Sequence, residues 1–155
     1  MSTEAAAPSG KKHLVILVHG INTRATWMTE VSAALRRAGL IAANTSYGKY
    51  PVWTFALRLE KPERAAIEGL TARIREAIAI HKPDDVSVIA HSFGTYVFSK
   101  VLLEQKDLRW NRVIFCGSVV NEDFPFADVL QRFAHPLLNE VGGRDIWPAF
   151  AERLG

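Results

Sequence analysis

The sequence predicts an α/β domain with a mostly parallel five-stranded sheet that carries helices on both faces. Short, continuous, β-branched apolar runs such as residues 14–18 are typical of strands covered on both sides. These runs alternate with stretches of helical periodicity, which is the order of βαβ units in a parallel sheet. The chain has 155 residues, of which 48% are hydrophobic, so one such domain can fold without disulfides or a metal.

The first two strands flank a single predicted helix. A strand over 14–18 is followed by a helix over 27–38, and Gly39 supplies a C-terminal stop signal. A second strand lies within 40–47. The next segment, 47–61, is compatible with a strand, a short helix or an irregular segment that covers part of the sheet.

The remaining elements are more regular. A helix over 62–81 begins with a proline suited to a first turn and ends before Pro83. Its apolar stripe consists of Ile67, Leu70, Ile74 and Ile78. Three strand–helix pairs follow, with strands over 86–90, 113–116 and 137–141 and helices over 93–104, 126–133 and 146–154.

Composition and charge exclude several classes of protein. The net charge of +3 is too small and too evenly spread to predict a nucleic-acid surface. No apolar run approaches the ~20 residues of a transmembrane helix. The single cysteine, Cys116, excludes a disulfide scaffold and suits a cytoplasmic protein. Residues 1–12 lack an apolar leader, so we expect a flexible tail before a single domain over 13–155.

The third predicted strand runs into Ala90-His91-Ser92-Phe93-Gly94 and then into a helix. This is the setting of a nucleophile elbow, G-x-S-x-G, with Ala90 in the place of the first glycine. The sharp turn needs small residues around the serine, because helix and strand approach closely. It also directs a helix N-terminus, which favours negative charge, at the serine hydroxyl. Serine and glycine are frequent in ordinary β–α turns, so the motif alone leaves that interpretation open.

Two further segments would meet Ser92 at the carboxyl edge of a parallel sheet. The first strand ends in residues 19–22, with the sequence His-Gly-Ile-Asn, a loop that could turn a backbone N–H toward the serine. The fifth strand is followed by residues 142–145, which end in the carboxylate of Asp145. The order along the chain is then a loop that offers a backbone N–H, a nucleophile and an acid.

Together these pieces resemble the α/β-hydrolases of the serine esterase and lipase type. The resemblance rests on residues 14–21, 88–94 and 139–148. It implies the sheet order 2-1-3-4-5, with a crevice between the first and third strands. It also implies that Ser92 is the nucleophile, that Asp145 orients a histidine, and that no metal or cofactor takes part.

The same resemblance assigns the backbone N–H groups of Ile21 and Phe93 to an oxyanion hole. The residues that would support this site from the surrounding loops are His19, Gly20, His91 and Gly94. Asp123 follows the fourth strand at the same edge and is the alternative acid, although a turn or a helix N-cap also explains it.

The sequence contains five histidines, and none of them follows Asp145. In this fold the chain order is serine, acid, histidine, and ten residues are too few for the further helix and strand that precede the histidine. We therefore expect a hydrolase that lacks its C-terminal segment. A degenerate hydrolase and a histidine from a partner chain are the alternatives.

The five histidines divide by their place in the predicted sheet. His13, His81 and His135 would lie at the edge opposite the serine. His19 and His91 would lie near it, and substitution would test either as a base.

The sequence thus predicts cleavage of a small-molecule or lipid-like carboxylic ester through a seryl acyl-enzyme. Two alternatives stay open, a hydrolase-like module that binds without turnover and a flavodoxin-like domain that binds a phosphate or a flavin. The aromatic residues Trp27, Tyr50, Trp53 and Phe55 either line an acyl pocket or pack over the sheet edge.

Overall fold

The elements of the fold are taken from a computed structural model, which describes residues 10–20, 26–45 and 60–140. In chain order they are β1 (His13–Val18), α1 (Thr26–Arg37), β2 (Ile41–Thr45), α2 (Glu60–His81), β3 (Asp85–His91), α3 (Phe93–Glu104), β4 (Val113–Cys116), α4 (Phe126–Leu130) and β5 (Leu138–Glu140).

The described strands form one parallel sheet in the order β2-β1-β3-β4-β5. Strand β1 lies inside the sheet, where Leu14 is in register with Ile41 on one side and with Val86 on the other. The predicted order and direction are confirmed. Because every strand runs the same way, all of their carboxyl ends lie at one edge of the sheet, called here the upper edge.

The side chains of β1 alternate between two packed layers. Leu14 and Ile16 belong to a large buried cluster completed by α2 and α3, whereas Val15 and Leu17 pack with Met28 of α1 on the other face. Each fully buried aliphatic side chain of this kind contributes roughly 1.5–3 kcal/mol. The prediction of helices on both faces is confirmed.

Helix α1 ends at Arg37, close to the stop signal that the sequence predicts at Gly39. Gly39 has φ +80°, a conformation that side chains with a Cβ rarely adopt. The N–H of Leu40 donates to the carbonyl of Leu35, and that of Gly39 to the carbonyl of Arg36, both at 3.0 Å. This is the Schellman pattern, which satisfies carbonyls left open at a helix end.

Helix α2 begins at Glu60, two residues before the predicted start, and ends at His81 as predicted. Its predicted stripe faces the core, since Ile67, Leu70 and Ile74 are buried and Ile78 is partly buried. Neither α2 nor any other helix in the described ranges is both long and apolar enough to cross a membrane.

Helix α4 is shorter than the predicted 126–133, which is wrong at its C-terminal end. The backbone beyond Leu130 pairs with Trp110 instead of continuing the helix. The N–H of Trp110 donates to Arg132 at 3.0 Å, and the N–H of Ala134 donates to Trp110 at 2.8 Å. Pairing with Trp110, which is distant in the sequence, therefore decides where the helix ends.

Several predicted segments lie outside the described residues. They are the tail over 1–9, the segment 47–59 and the last helix over 146–154. Strand β5, Leu138–Glu140, falls within the predicted 137–141.

The C-terminal end of α3 is closed by a buried arginine. The guanidinium of Arg132 donates to the carbonyl of Leu102 and, at 2.7 Å, to that of Gln105. The Arg132 side chain is buried, and this burial lowers its pKa from the ordinary arginine value. A cation at this place also matches the negative end of the helix dipole.

Arg132→Met keeps the apolar bulk of the side chain but removes both donors. We expect the free energy of unfolding to fall by about 2–3 kcal/mol, because hydrogen bonds from a charged donor contribute roughly 1.5–3 kcal/mol. Urea denaturation measures the loss.

Arg109→Met is the matched control for this measurement. Arg109 is exposed and donates a bond of 3.2 Å to the carbonyl of Lys106, so its replacement should change stability by less than about 0.5 kcal/mol. Equal losses in the two variants would contradict the role assigned to Arg132.

Candidate active site

The candidate site lies at the upper edge, between β1 and β3. The chain leaves β1 toward β2 on one side, while β3 lies on the other side of β1. Loops that diverge in this way open a crevice above the sheet, and ligands of open α/β sheets bind there. The loops that follow these two strands contain Gly20 and Ser92.

Ser92 joins strand β3 directly to helix α3 in a strained backbone conformation. Its φ is +52° and its ψ is −130°, a combination that costs a non-glycine residue of the order of 1–3 kcal/mol. Ser92 occupies the N-cap position of α3, yet its side chain makes no capping hydrogen bond. Ser92 thus makes a sharp turn between β3 and α3, as an elbow would require, and its hydroxyl is not committed to the helix cap.

Hydrogen bonds on both sides hold Ser92 in this conformation. Its N–H donates to the carbonyl of Cys116 on β4 at 2.9 Å. Its carbonyl accepts from the N–H of Thr95 at 2.9 Å and from the Thr95 hydroxyl at 2.7 Å. The same hydroxyl accepts from the N–H of Val119 at 3.1 Å, which ties the loop after β4 to the elbow.

Thr95 also supports the site, although it lies outside the motif that locates Ser92 in the sequence. The residue is fully buried, and its hydroxyl connects two loops of the upper edge. Its position three residues after Ser92, in the first turn of α3, is a signal for a side-chain bond back to the N-cap carbonyl. That signal could have identified Thr95 as part of the elbow.

Small residues make the turn sterically possible. A Cβ at Gly94 would lie 2.7 Å from the carbonyl oxygen of His19 and 2.9 Å from that of Val18. A Cβ at Gly20 would lie 3.0 Å from the Cβ of Ser92 and 3.3 Å from its Oγ. Ala90, in the place of the first motif glycine, is fully buried. The predicted close approach of helix and strand is therefore observed.

The two upper-edge histidines have different surroundings. The Nδ1 atom of His19 is hydrogen-bonded to the carbonyl oxygen of Gly20. Since a carbonyl only accepts, Nδ1 carries the proton. The ring of His91 packs against Trp27 of α1, with centroids 5.6 Å apart and planes tilted by 48°. Of the aromatic residues considered for an acyl pocket, Trp27 is the one within the described ranges.

The other three histidines lie at the lower edge, as predicted. His13 begins β1, and its Nε2 is 2.8 Å from the Ser87 hydroxyl. His81 ends α2, and His135 precedes β5. None of these three is placed to accept a proton from Ser92.

Of the two candidate acids, the structure describes only Asp123. Asp145 lies outside the described residues, as does Ile21. Asp123 follows β4 at the upper edge and is exposed, and its N–H donates to the side chain of Asn121 at 2.8 Å. Pro125, not Asp123, occupies the N-cap position of α4. The structure thus fits the turn interpretation of Asp123 and not the N-cap interpretation.

Cys116 is only partly buried. Its burial, with a smaller contribution from Glu140 on the neighbouring strand, raises the pKa of the thiol. A thiol with a raised pKa stays protonated at neutral pH and is a poor nucleophile. Its backbone carbonyl, by contrast, supports Ser92 directly.

Comparison with solved structures finds the same fold in known proteins. A carboxyl esterase from Bacillus coagulans, described as highly thermostable, superposes with a TM-score of 0.58 at 15% identity over 77% of this chain and 39% of its own. An alpha-beta serine hydrolase homologue from Coxiella burnetii gives a TM-score of 0.52 at 17% identity over 94% and 87%. The chain has the α/β-hydrolase fold.

An uncharacterized protein from Bacillus cereus ATCC 10987 shares this hydrolase-like fold over nearly the whole chain. Its TM-score is 0.72 at 17% identity, over 99% of this chain and 50% of its own. The chain thus spans half the length of this relative and about two fifths of the esterase. No protein-family model and no curated protein sequence matches the chain.

Gly94→Ala tests the close approach on which the elbow depends. Both groups that the new Cβ would meet are backbone carbonyls of β1 and its loop, which cannot rotate away. We expect the free energy of unfolding to fall by about 1–3 kcal/mol, the usual cost of overpacking. Thermal or urea denaturation measures the change.

Gly10→Ala is the control, since a Cβ there meets no atom within 4 Å. It should leave stability unchanged within about 0.5 kcal/mol. Full stability of Gly94→Ala would show that α3 does not pack against the His19 backbone as closely as described.

Proposed function

We propose that the chain is the nucleophile-bearing core of a serine hydrolase that cleaves carboxylic esters of small-molecule or lipid-like substrates. The observation that carries the proposal is the backbone of Ser92, held at positive φ between a strand and a helix N-terminus. Such strain persists only where the surrounding structure over-determines it, and it concentrates at functional sites. The esterase and serine hydrolase homologue with the same fold support this reaction class.

In the proposed reaction the Oγ of Ser92 attacks the carbonyl carbon of the ester and gives its proton to a base. The bond from that carbon to the alcohol oxygen then breaks, and the alcohol leaves with the proton. Water attacks the seryl ester in the second half, which releases the carboxylic acid and restores Ser92.

Two backbone N–H groups would hold the negative charge that develops on the carbonyl oxygen. Phe93 is the first residue of α3, where the helix N-terminus carries partial positive charge. Ile21 shares a peptide bond with Gly20, whose carbonyl is held by His19. In a planar trans peptide the C=O and N–H point in opposite directions. The His19 ring would therefore position the Ile21 N–H on the side away from itself.

The base is assigned to a histidine outside the five in this sequence. His19 and His91 are the two at the upper edge, but the first holds the Gly20 carbonyl and the second packs against Trp27. A longer form of the chain or a partner chain would supply the histidine, and Asp145 would orient it. The greater length of the esterase supports this assignment.

The flavodoxin-like alternative has less support. A phosphate loop would present hydroxyl side chains after β1. The described part of that loop, His19 and Gly20, instead lies against the elbow, with Gly20 in contact with Ser92.

A fluorophosphonate probe tests the nucleophile. We expect the probe to add to the Ser92 peptide of the folded chain and not to the urea-unfolded chain, because the elbow and helix dipole activate the hydroxyl. Even without a triad histidine, oxyanion stabilisation and binding leave roughly 10³-fold or more catalysis over water. Peptide mass spectrometry locates the adduct.

Ser92→Ala should abolish labelling. The control is Ser99→Ala, because Ser99 lies on the same helix and donates its hydroxyl to the carbonyl of Tyr96. A folded chain that labels no faster than the unfolded one would contradict the hydrolase and favour a module that binds without turnover.

Paired substitutions of the two acids test the assignment of Asp145. Asp145→Asn should lower steady-state hydrolysis of p-nitrophenyl butyrate, in the form of the protein that carries the base, by at least about tenfold. Loss of the carboxylate that orients a triad histidine costs up to about 10⁴-fold. Asp123→Asn should leave the rate within about twofold, because surface turn residues outside the site rarely matter. A larger loss of rate in Asp123→Asn than in Asp145→Asn would instead identify Asp123 as the acid.

A further inference from the structure

A cavity of about 520 Å³ lies between the C-terminal end of α3 and the end of α4. Ser92 lies at the opposite end of α3, roughly 15 Å away along the helix axis, so the cavity is separate from the candidate active site. Its volume is in the range of small-molecule sites. The described part of its lining contains three cations, Lys106, Arg109 and Arg132, and one carboxylate, Asp128. The cavity is therefore positively charged.

We propose that this cavity binds a small organic phosphate. The phosphate group would lie among the three cations, and the apolar part of the ligand would lie against Leu102, Leu103 and Val129. Three cations and one carboxylate leave the lining with a charge of +2, and a phosphate monoester carries roughly −1.5 to −2 at pH 7. The two charges nearly cancel. This binding does not depend on Ser92 acting as a nucleophile.

Arg132 carries a buried charge that no carboxylate of the described residues neutralises. The residue is only 8% exposed, and no acidic side chain in the described ranges lies within 4.0 Å of its guanidinium. Buried charges are normally paired, because an isolated charge is costly to remove from water. Carbonyls at the end of α3 use two of the five N–H groups of this guanidinium, which leaves three to bind a ligand.

Arg109 adds a second positive charge that acts on Arg132. The pKa of Arg132 is lowered first by burial and then by the charge of Arg109, with a smaller opposing effect of Asp107. Burial and the neighbouring cation both disfavour the charged form of Arg132, and an anion bound to the two guanidinium groups would offset them. Planar guanidinium groups bind phosphate oxygens through paired hydrogen bonds, so two of them suit a phosphate site.

The acidic residues at the end of α3 face α2 and not the cavity. The carboxylate of Asp107 accepts from the guanidinium of Arg75 at 2.9 Å, and that of Glu104 accepts from Arg64 at 2.9 Å. Both arginines lie on α2, and neither acid belongs to the described lining of the cavity. The turn after α3 therefore directs its carboxylate to α2 and contributes two cations to the cavity.

The apolar lining favours an organic phosphate over the inorganic ion. Leu102 and Val129 belong to the large buried cluster, and Leu103 packs against it, so this side of the cavity continues the core. Inorganic phosphate would contact the cations and leave the apolar surface exposed to water. An ester with a small apolar group would cover that surface and gain the free energy of its burial.

A titration followed by ¹H–¹⁵N NMR tests the site on the unmodified chain. Phenyl phosphate should shift the amides of residues 102–109 and 128–132 saturably, with a Kd of roughly 1 mM or below. Inorganic phosphate should bind at least about threefold more weakly, because it lacks the apolar group. Phenol, which is uncharged, should not shift these amides at the same concentrations. The proposal would be overturned by the lack of a saturable shift, by equal affinity for the two phosphates or by equal shifts with phenol.

Arg109→Met tests the cations without disturbing α3, which Arg132 also closes. It should raise the Kd for phenyl phosphate by about five- to tenfold, the effect of losing a charged hydrogen bond. Arg37→Met is the matched control, because Arg37 is exposed on α1, which packs on the other face of the sheet. It removes the same charge and should change the Kd by less than about twofold.

Asp128→Asn should act in the opposite direction. It removes the carboxylate that repels the phosphate, so the Kd should fall by about two- to threefold. The β1 amides report that each variant stays folded. Equal Kd values in Arg109→Met and Arg37→Met would indicate non-specific attraction of anions and overturn the proposal, as would binding to Asp128→Asn that is no tighter than binding to the unmodified chain.

Discussion

Two backbone segments, residues 18–20 and 92–94, meet at the upper edge with almost no space between them, and the candidate site depends on that contact. Gly94 lies against the carbonyls of Val18 and His19, and Gly20 lies against Ser92. Without side chains at these two glycines, α3 can start directly at the end of β3, and Ser92 must then take a positive φ. The strain at Ser92 is thus a consequence of how closely the helix and the first strand pack.

The rest of the fold stabilises this contact from both ends of α3. At its N-terminus, Thr95 binds the Ser92 carbonyl and the loop after β4. At its C-terminus, Arg132 closes the last turn. Strand β1 supplies the surface on which the helix rests, because it lies inside the sheet and is buried on both faces. A helix held at both ends can keep a strained residue at its start, and this is what the proposed nucleophile requires.

The sequence predicted those parts of the fold that depend on local pattern. Helix α3 and strand β4 have their predicted bounds, since apolar runs and the small residues of the elbow mark their ends. Helix α4 was predicted too long, because its end is decided by pairing with Trp110, which no local pattern shows. For the same reason Arg132 was not singled out. The motif located Ser92 but not its φ, while Asp145 and Ile21 remain predictions because the structure does not describe them.

The role of Ser92 as the nucleophile is tested most directly by a crystal structure of the chain after reaction with a fluorophosphonate. We expect phosphorus bonded to the Oγ of Ser92, with φ of this residue still positive. We also expect a phosphonyl oxygen at about 3 Å from the N–H of Phe93, the distance of an oxyanion-hole donor. An adduct on another residue, or an oxygen turned away from the start of α3, would contradict this assignment.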